Sequence, residues 1–279
     1  MGVQGFMAQS LRTPSRTAPL TAPISCYIRT LNEERRIGEV IRAARQVAQE
    51  VIIVDSGSKD ATLRIAAEEG ARIIEQPWLG NGFQKRVGED AASHDWVLDL
   101  DADEVVTPEL AEEIRSVFRQ GPAFQVYQLI LVTVPPYGKP WRGFKHAKRM
   151  KLYDRRFNRI PEHAAWDQFT LPPATSFGKL RNPILHYAFT GMEHVIAKLN
   201  RASGVRARET ALKPLWNVIL RVYLGFPAYF LKEYFVHGLV RGGTYGFSYA
   251  LAIAMGRWMR DVKMYERHLQ RQSHSAGRE

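Results

Sequence analysis

Asp101 and Asp103 lie two residues apart, and the apolar run WVLDL at 96–100 leads directly into them. In an extended chain, residues i and i+2 point to the same side. Two carboxylates on one side of a strand end can hold a hard cation such as Mg2+ or Mn2+, which takes its remaining oxygens from water and a substrate diphosphate. Asp99 shares their parity if the strand continues. An isolated D-x-D is more often a solvated acidic turn. Here the apolar lead-in favours a site, and so does a second strand-end acid, Asp55, directly after VIIV at 51–54. Asp55 reads two ways: it can accept a hydrogen bond from a ribose hydroxyl or base N–H, or it can shape a turn. Glu33, in the polar Thr30–Glu33 stretch after PISCYIRT, taken alone is a first-turn helix carboxylate.

The elements around these acids repeat a pattern. Residues 23–30 read as a buried strand, and apolar positions Ile37, Val40, Ile41, Ala44, Val47 and Ala48 follow at helical spacing, with Glu33 and Glu34 in the first turn. The β-branched run at 51–54 is typical of a parallel strand covered on both faces. Asp60 is a candidate cap for a helix over 61–69, with Gly70 as its stop. Further strands are expected at 71–74, 96–100 and 124–134, with helices at 84–92 and 108–119. Alternation with short connections predicts an α/β fold with a mostly parallel sheet, whose ligands bind at the carboxyl ends of the strands. The clusters at 30–33, 55–58 and 101–103 all fall there.

The two familiar phosphate cradles are missing. Gly80-Asn81-Gly82 is not G-x-G-x-x-G, and no G-x-x-x-x-G-K-[ST] occurs, which argues against a dehydrogenase or a P-loop enzyme. The 279 residues are 45% hydrophobic, enough for a real core, and the single cysteine, Cys26, excludes a disulfide scaffold. The net charge of +11 conceals a division. Residues 1–135 carry 14 basic and 19 acidic side chains, net −5, and residues 136–279 carry 25 and 9, net +16. Of 30 aromatics, 22 lie in the second part. A basic and aromatic stretch over 139–159 (Lys139, Arg142, Lys145, Lys148, Arg149, Lys151, Arg155, Arg156 and Arg159, with Trp141, Phe144, Tyr153 and Phe157) suits acceptor phosphates or is a solvated loop.

Residues 1–22 have no apolar run of signal-peptide length and read as a disordered lead-in, which puts the chain in the cytoplasm. Residues 215–231 contain Asn217, Arg221, Gly225 and Pro227 and are short for a membrane span. The aromatics and cations of 215–260 suit a helix lying in a membrane interface or a buried helical hairpin.

Taken together, ISCYIRTLNEE, VIIVDSGSKDAT and WVLDLDADE resemble glycosyltransferase family 2 on a GT-A fold. QPWLGNGFQKR and NPILHYAF followed by KLNRAS are similar to the branch that glucosylates lipopolysaccharide inner-core heptose. The resemblance covers about residues 23–210. It implies that Thr30, Asn32 and Glu33 lie beside the nucleotide, that Asp55 contacts uracil or ribose, and that Gln84 and Lys85 approach the nucleotide or its phosphates. It also implies that Asp101 and Asp103 bind Mg2+ or Mn2+, and that the donor is a UDP-sugar. Inverting transfer needs a base, and the resemblance implies a carboxylate later in the chain, in a Val-His-Glu-like tripeptide. The match here is Ala165-Trp166-Asp167, with Trp for His and Asp for Glu, so Asp167 is the expected base and Glu162 its rival. His163 and His186 read as structural.

The implied acceptor is a lipid-linked saccharide at the inner face of the cytoplasmic membrane, with the enzyme peripherally attached and no nucleic-acid partner. The expected organisation is a lead-in at 1–22, a GT-A domain at 23–210, a helical amphipathic region at 211–265 and a disordered tail at 266–279. The competing readings are a basic membrane- or RNA-binding protein without catalysis, and a transferase acting on polyprenyl phosphate.

Overall fold

A computed structural model describes residues 21–276 apart from 138, 142–145, 165 and 174. Arg142, Phe144, Lys145, Ala165, the lead-in up to residue 20 and the last three residues of the expected tail lie outside the described residues.

The chain begins as a strand–helix alternation: β1 (Ala22–Thr30), α1 (Ile37–Ala44), β2 (Ala48–Asp55), α2 (Thr62–Glu68), β3 (Arg72–Glu75), α3 (Asn81–Ala91) and β4 (Trp96–Asp101). Then come β5 (Glu104–Val106), α4 (Pro108–Gln120), β6 (Val126–Thr133), β7 (Ala147–Asp154) and β8 (Gly178–His186). The strands form one sheet in the order β3-β2-β1-β4-β7-β6-β8-β5. The β3-β2-β1-β4 part is parallel, and β7 joins β4 antiparallel.

Parity along β1 and β2 explains why their central residues are mostly apolar on both faces. Ile24, Cys26 and Ile28, with Val51 and Ile53, face a core closed by Ile37, Val40 and Ile41 of α1 and Leu110 and Ile114 of α4. Tyr27, Ile52 and Val54 face the opposite core with Val97 and Tyr153. A strand buried on both faces has no position at which a polar side chain meets water. Helix α4 starts as its sequence dictates: Pro108 sits in the first turn, the Thr107 hydroxyl accepts from the Leu110 N–H at 3.2 Å, and Gly121 follows at φ +82°.

Some boundaries differ from the sequence expectation. Helix α1 begins at Ile37, so Glu33 and Glu34 precede it rather than forming its first turn. Their backbone N–H groups donate instead to Thr62 Oγ1 and Asp60 Oδ2, lacing the loop after β1 to the start of α2. Asp60 also accepts from the Thr62 N–H at 3.0 Å, just ahead of that helix.

Three helices follow the sheet: α5 (Met192–Glu209), α6 (Leu215–Leu231) and α7 (Gly243–Ala276). A π-helical turn (Lys232–Val236) and a 3₁₀ turn (Leu239–Gly242) join α6 to α7. Helix α7 runs to Ala276, so most of the expected disordered tail is helical, held at its start by Met264 packing on Val218 and Ala207. The helical layer is tied to the sheet through an aromatic cluster. Trp141 and Phe189 pack on Leu239 and Ala250, and Phe189 stacks on Tyr249 with ring centroids 4.9 Å apart. Among the described residues, no helix is long and apolar enough to cross a membrane.

Candidate active site

The carboxyl ends of β1 and β4 open into a cavity of about 750 Å³. Six of the residues singled out in the sequence line it: Thr30, Glu33, Lys85, Asp101, Asp103 and Asp167. Three others do not, because their side chains are engaged in the loops around it. The Asp55 carboxylate is fully buried and accepts from the N–H groups of Gly57 and Ser58 and from the Ser58 hydroxyl, so of its two readings the loop-shaping one describes its contacts. Asn32 sits at φ +54°, and its Oδ1 accepts from the Lys59 N–H. Gln84 is buried and donates to Ser56 Oγ and the Gln76 carbonyl, presenting Ser56, itself a lining residue, to the cavity.

The cavity floor is a network of charges. Lys85 and Asp99 are both buried, 2.8 Å apart, and the Lys85 ammonium also lies 3.3 Å from Asp167 and 3.9 Å from Asp101. Arg29 pairs with Asp101 at 2.6 Å and with Asp167 at 3.1 Å, and donates to Asn81 Oδ1. Lys151, buried on β7, pairs with Glu104 at 2.7 Å and stands 3.9 Å from Asp101. Three cations thus face four carboxylates, an excess of negative charge that a divalent cation would offset. Burial raises the Asp101 carboxyl, but Lys85, Lys151 and Arg29 outweigh it and hold the group well below the usual range. Burial pushes Glu104 up to about 7 against the pull of Lys151. Glu33 is likewise pushed up to about 7, by burial and then by the neighbouring charges of Asp103 and Asp60.

His186, which the sequence reads as structural, lines the cavity. Its Nε2 is 3.4 Å from Asp103 Oδ2, and burial, which lowers its pKa, is outweighed by that bond, so the ring is raised. The cause is strand pairing. β5 pairs antiparallel with β8, setting Glu104 opposite His186, and the Tyr187 N–H donates to the Asp103 carbonyl. No local signal could reveal a partner 83 residues away in the chain. Arg29, Lys151, Arg149, Lys198 and Trp78 also line the cavity and were not singled out individually as nucleotide or metal contacts. A legible signal existed for Arg29, a charge near the end of an otherwise apolar strand. The described basic residues of 139–159 do not form one patch. Lys151 faces the cavity floor, Arg155 and Arg159 bond to Glu89, and Arg156 bonds to Asp154.

Asp103 and His186 suit a divalent cation. A carboxylate oxygen suits either Mg2+ or Mn2+, an unprotonated imidazole nitrogen suits a transition metal such as Mn2+ better than Mg2+, and two such atoms 3.4 Å apart can share one ion. Among the described residues no third ligand is already gathered with them.

The segment carrying Asp167 is docked on the start of α3 by backbone contacts that only glycine permits. The Gly82 N–H donates to the His163 carbonyl at 2.9 Å, and the Asn81 N–H to that of Ala164 at 2.8 Å. A Cβ at Gly82 would lie 2.2 Å from the Pro161 oxygen and 2.4 Å from that of Trp166. Gly82→Ala should therefore displace Asp167 and lower transfer at least tenfold while UDP binding, measured by calorimetry, changes far less.

The mostly parallel, mixed α/β sheet with a carboxylate-lined cavity at its strand ends is GT-A-like in architecture. The family model for glycosyl transferase family 2 matches residues 25–180, and this chain belongs to that family. An uncharacterized glycosyltransferase of Rickettsia bellii is 31% identical over 266 residues, covering 90% of this chain and 89% of its own. The lipopolysaccharide core biosynthesis glycosyltransferase LpsC of Rhizobium meliloti is 26% identical over 252 residues, 88% of this chain and 93% of its own. Glucosyl-3-phosphoglycerate synthase from Mycobacterium tuberculosis, crystallised with Mn2+ and UDP, is 28% identical over 41% of this chain and 44% of its own, at a TM-score of 0.32.

Proposed function

We propose that this glycosyltransferase moves a hexose, glucose in the first instance, from a UDP-sugar to a lipid-linked saccharide such as lipopolysaccharide core heptose, with inversion at the anomeric carbon. The observation that carries the reading is the gathering of Asp101, Asp103, His186 and Asp167 around one cavity, together with similarity over 88% of the chain to a lipopolysaccharide core enzyme. The enzyme would work at the inner face of the cytoplasmic membrane, attached peripherally.

In this reading Thr30 and Ser56, at the ends of β1 and β2, border the nucleotide, and Thr30 Oγ1 is buried without a protein partner. Asp103 and His186, with Asp101 beside them, would hold Mg2+ or Mn2+, which when bound supplies Lewis-acid neutralisation of the leaving diphosphate. Arg149 and Lys198 give the cavity cations for an anionic acceptor. Asp167 accepts the proton of the acceptor hydroxyl as its oxygen bonds to the anomeric carbon and the bond to the UDP oxygen breaks. Arg29 and Lys85 orient that carboxylate from two sides. The rival Glu162 is 62% exposed, 3.9 Å from Arg86, and does not line the cavity.

The deciding experiment follows transfer from labelled UDP-glucose to a lipopolysaccharide acceptor ending in heptose. Asp167→Asn should abolish transfer, about a thousandfold or more in rate, and leave UDP binding intact. Glu162→Gln should transfer normally, and the reverse outcome would move the base to Glu162.

A further inference from the structure

Helix α6 is built inside out. Its polar groups face the protein: Arg221 pairs with buried Asp261 at 3.2 Å, and the Tyr229 hydroxyl donates to the same carboxylate at 2.6 Å. Val218 and Gly225 are its buried positions. The large apolar side chains face away. Trp216, Ile219, Leu220, Tyr223, Leu224 and Leu231 are between 37% and 78% exposed. Their spacing of three, one, three, one and seven places them on one side of the helix. Phe235 and Val236 in the following π-helical turn, at 60% and 76% exposure, extend the patch. A helix on the surface of a globular domain has the opposite arrangement, and an apolar patch of this extent marks a contact surface.

We propose that this face of α6 lies in the headgroup region of an anionic phospholipid bilayer, with the helix axis along the membrane plane. The proposal deepens the reading of a lipid-linked acceptor, on which it rests for its purpose, by naming the surface that brings the cavity to the lipid. Charge selects the occupant. Lys213 and Lys232 stand at the two ends of the stripe, and the part of the chain that contains it, residues 136–279, is net +16. Anionic headgroups neutralise that charge, whereas a second copy of the chain would double it. The Trp216 indole and Tyr223 phenol add rings with one apolar and one wet side, the chemistry of the headgroup level. At 17 residues the helix is roughly 26 Å long, and no described helix is apolar and long enough to span, so the patch is used from the side.

The full chain should co-sediment with vesicles of phosphatidylcholine and phosphatidylglycerol, less with phosphatidylcholine alone, and less as salt is raised. Leu220→Glu with Leu224→Glu should lower that partition about tenfold or more while leaving the melting temperature and UDP binding unchanged, since both side chains already face solvent. Undiminished vesicle binding by this variant overturns the proposal. So does a wild-type chain that ignores vesicles, or that forms a concentration-dependent dimer abolished by the same pair of changes. Transfer to the deacylated, water-soluble form of the acceptor separates this inference from the proposed function. Transfer without vesicle binding defeats only the membrane face, and vesicle binding without transfer defeats only the acceptor.

Discussion

Asp103→Asn is expected to lower sugar transfer at least a hundredfold, a loss of about 3 kcal/mol of transition-state stabilisation. The argument is electrostatic. The carboxylate lies at the cavity beside Asp101 and 3.4 Å from His186, and in the proposed reaction UDP would depart as a diphosphate whose developing charge needs a counter-ion. An amide has the shape of the acid without the charge that would hold the ion. His186→Ala should act in the same direction by removing the second donor. Three measurements follow. EDTA should reproduce the loss in the wild type and cost the Asp103→Asn variant almost nothing more. Mn2+ should tighten UDP binding to the wild type and not to the variant. The melting temperature should change little, because the side chain is part-exposed and the carbonyl that binds the Tyr187 N–H is untouched. Normal transfer by Asp103→Asn in the presence of EDTA would refute a role for the ion.

Lys85→Met should have the largest effect on stability. The Lys85 side chain is 1% exposed, its partner Asp99 is fully buried, and Asp99 Oδ1 already lacks a partner. Removing the ammonium strands a buried carboxylate with Lys151, 3.9 Å away and already bonded to Glu104, as its remaining cation. Breaking a buried pair in this way costs about 3–5 kcal/mol, or roughly 10 °C in melting temperature for a chain of this size. Replacing the pair by Lys85→Met with Asp99→Leu should recover most of that loss, since a matched apolar pair carries no desolvation penalty. Transfer should not recover with it, because Lys85 also steadies Asp167 at 3.3 Å. A double variant no more stable than Lys85→Met alone would show that the cost lies in packing rather than charge.

Local spacing accounts for the part of the site that was legible in the chain. Asp101 and Asp103 were readable because a strand end places i and i+2 on one side, and the strand was readable from its apolar run. Glu33, Thr30 and Lys85 came from motif likeness and do line the cavity. Asn32 and Gln84 came from the same likeness and Asp55 from its strand end as well, and in the structure all three side chains bond to the loops around the cavity. A motif preserves the type of residue and does not distinguish a group that touches a ligand from one that shapes the loop beside it.

The sequence by itself determined the strand–helix alternation and the acids at the strand ends, because these depend on periodicity and spacing within some thirty residues, and its motifs carried the resemblance to the family. It also located the aromatic, basic second part and the bounds of α6, though not which way that helix faces. The tertiary structure alone decided the rest. The pairing of β5 with β8 carries His186 to Asp103, the docking of Gly82 under the 161–166 segment carries Asp167 to Arg29 and Lys85, and the packing of α6 on α7 turns its polar side inward. Each joins residues tens of positions apart, and such contacts are selected by the burial and ion pairing of the whole molecule. No local pattern encodes them, and the charge that Asp261 buries is what turns the apolar side of α6 outward.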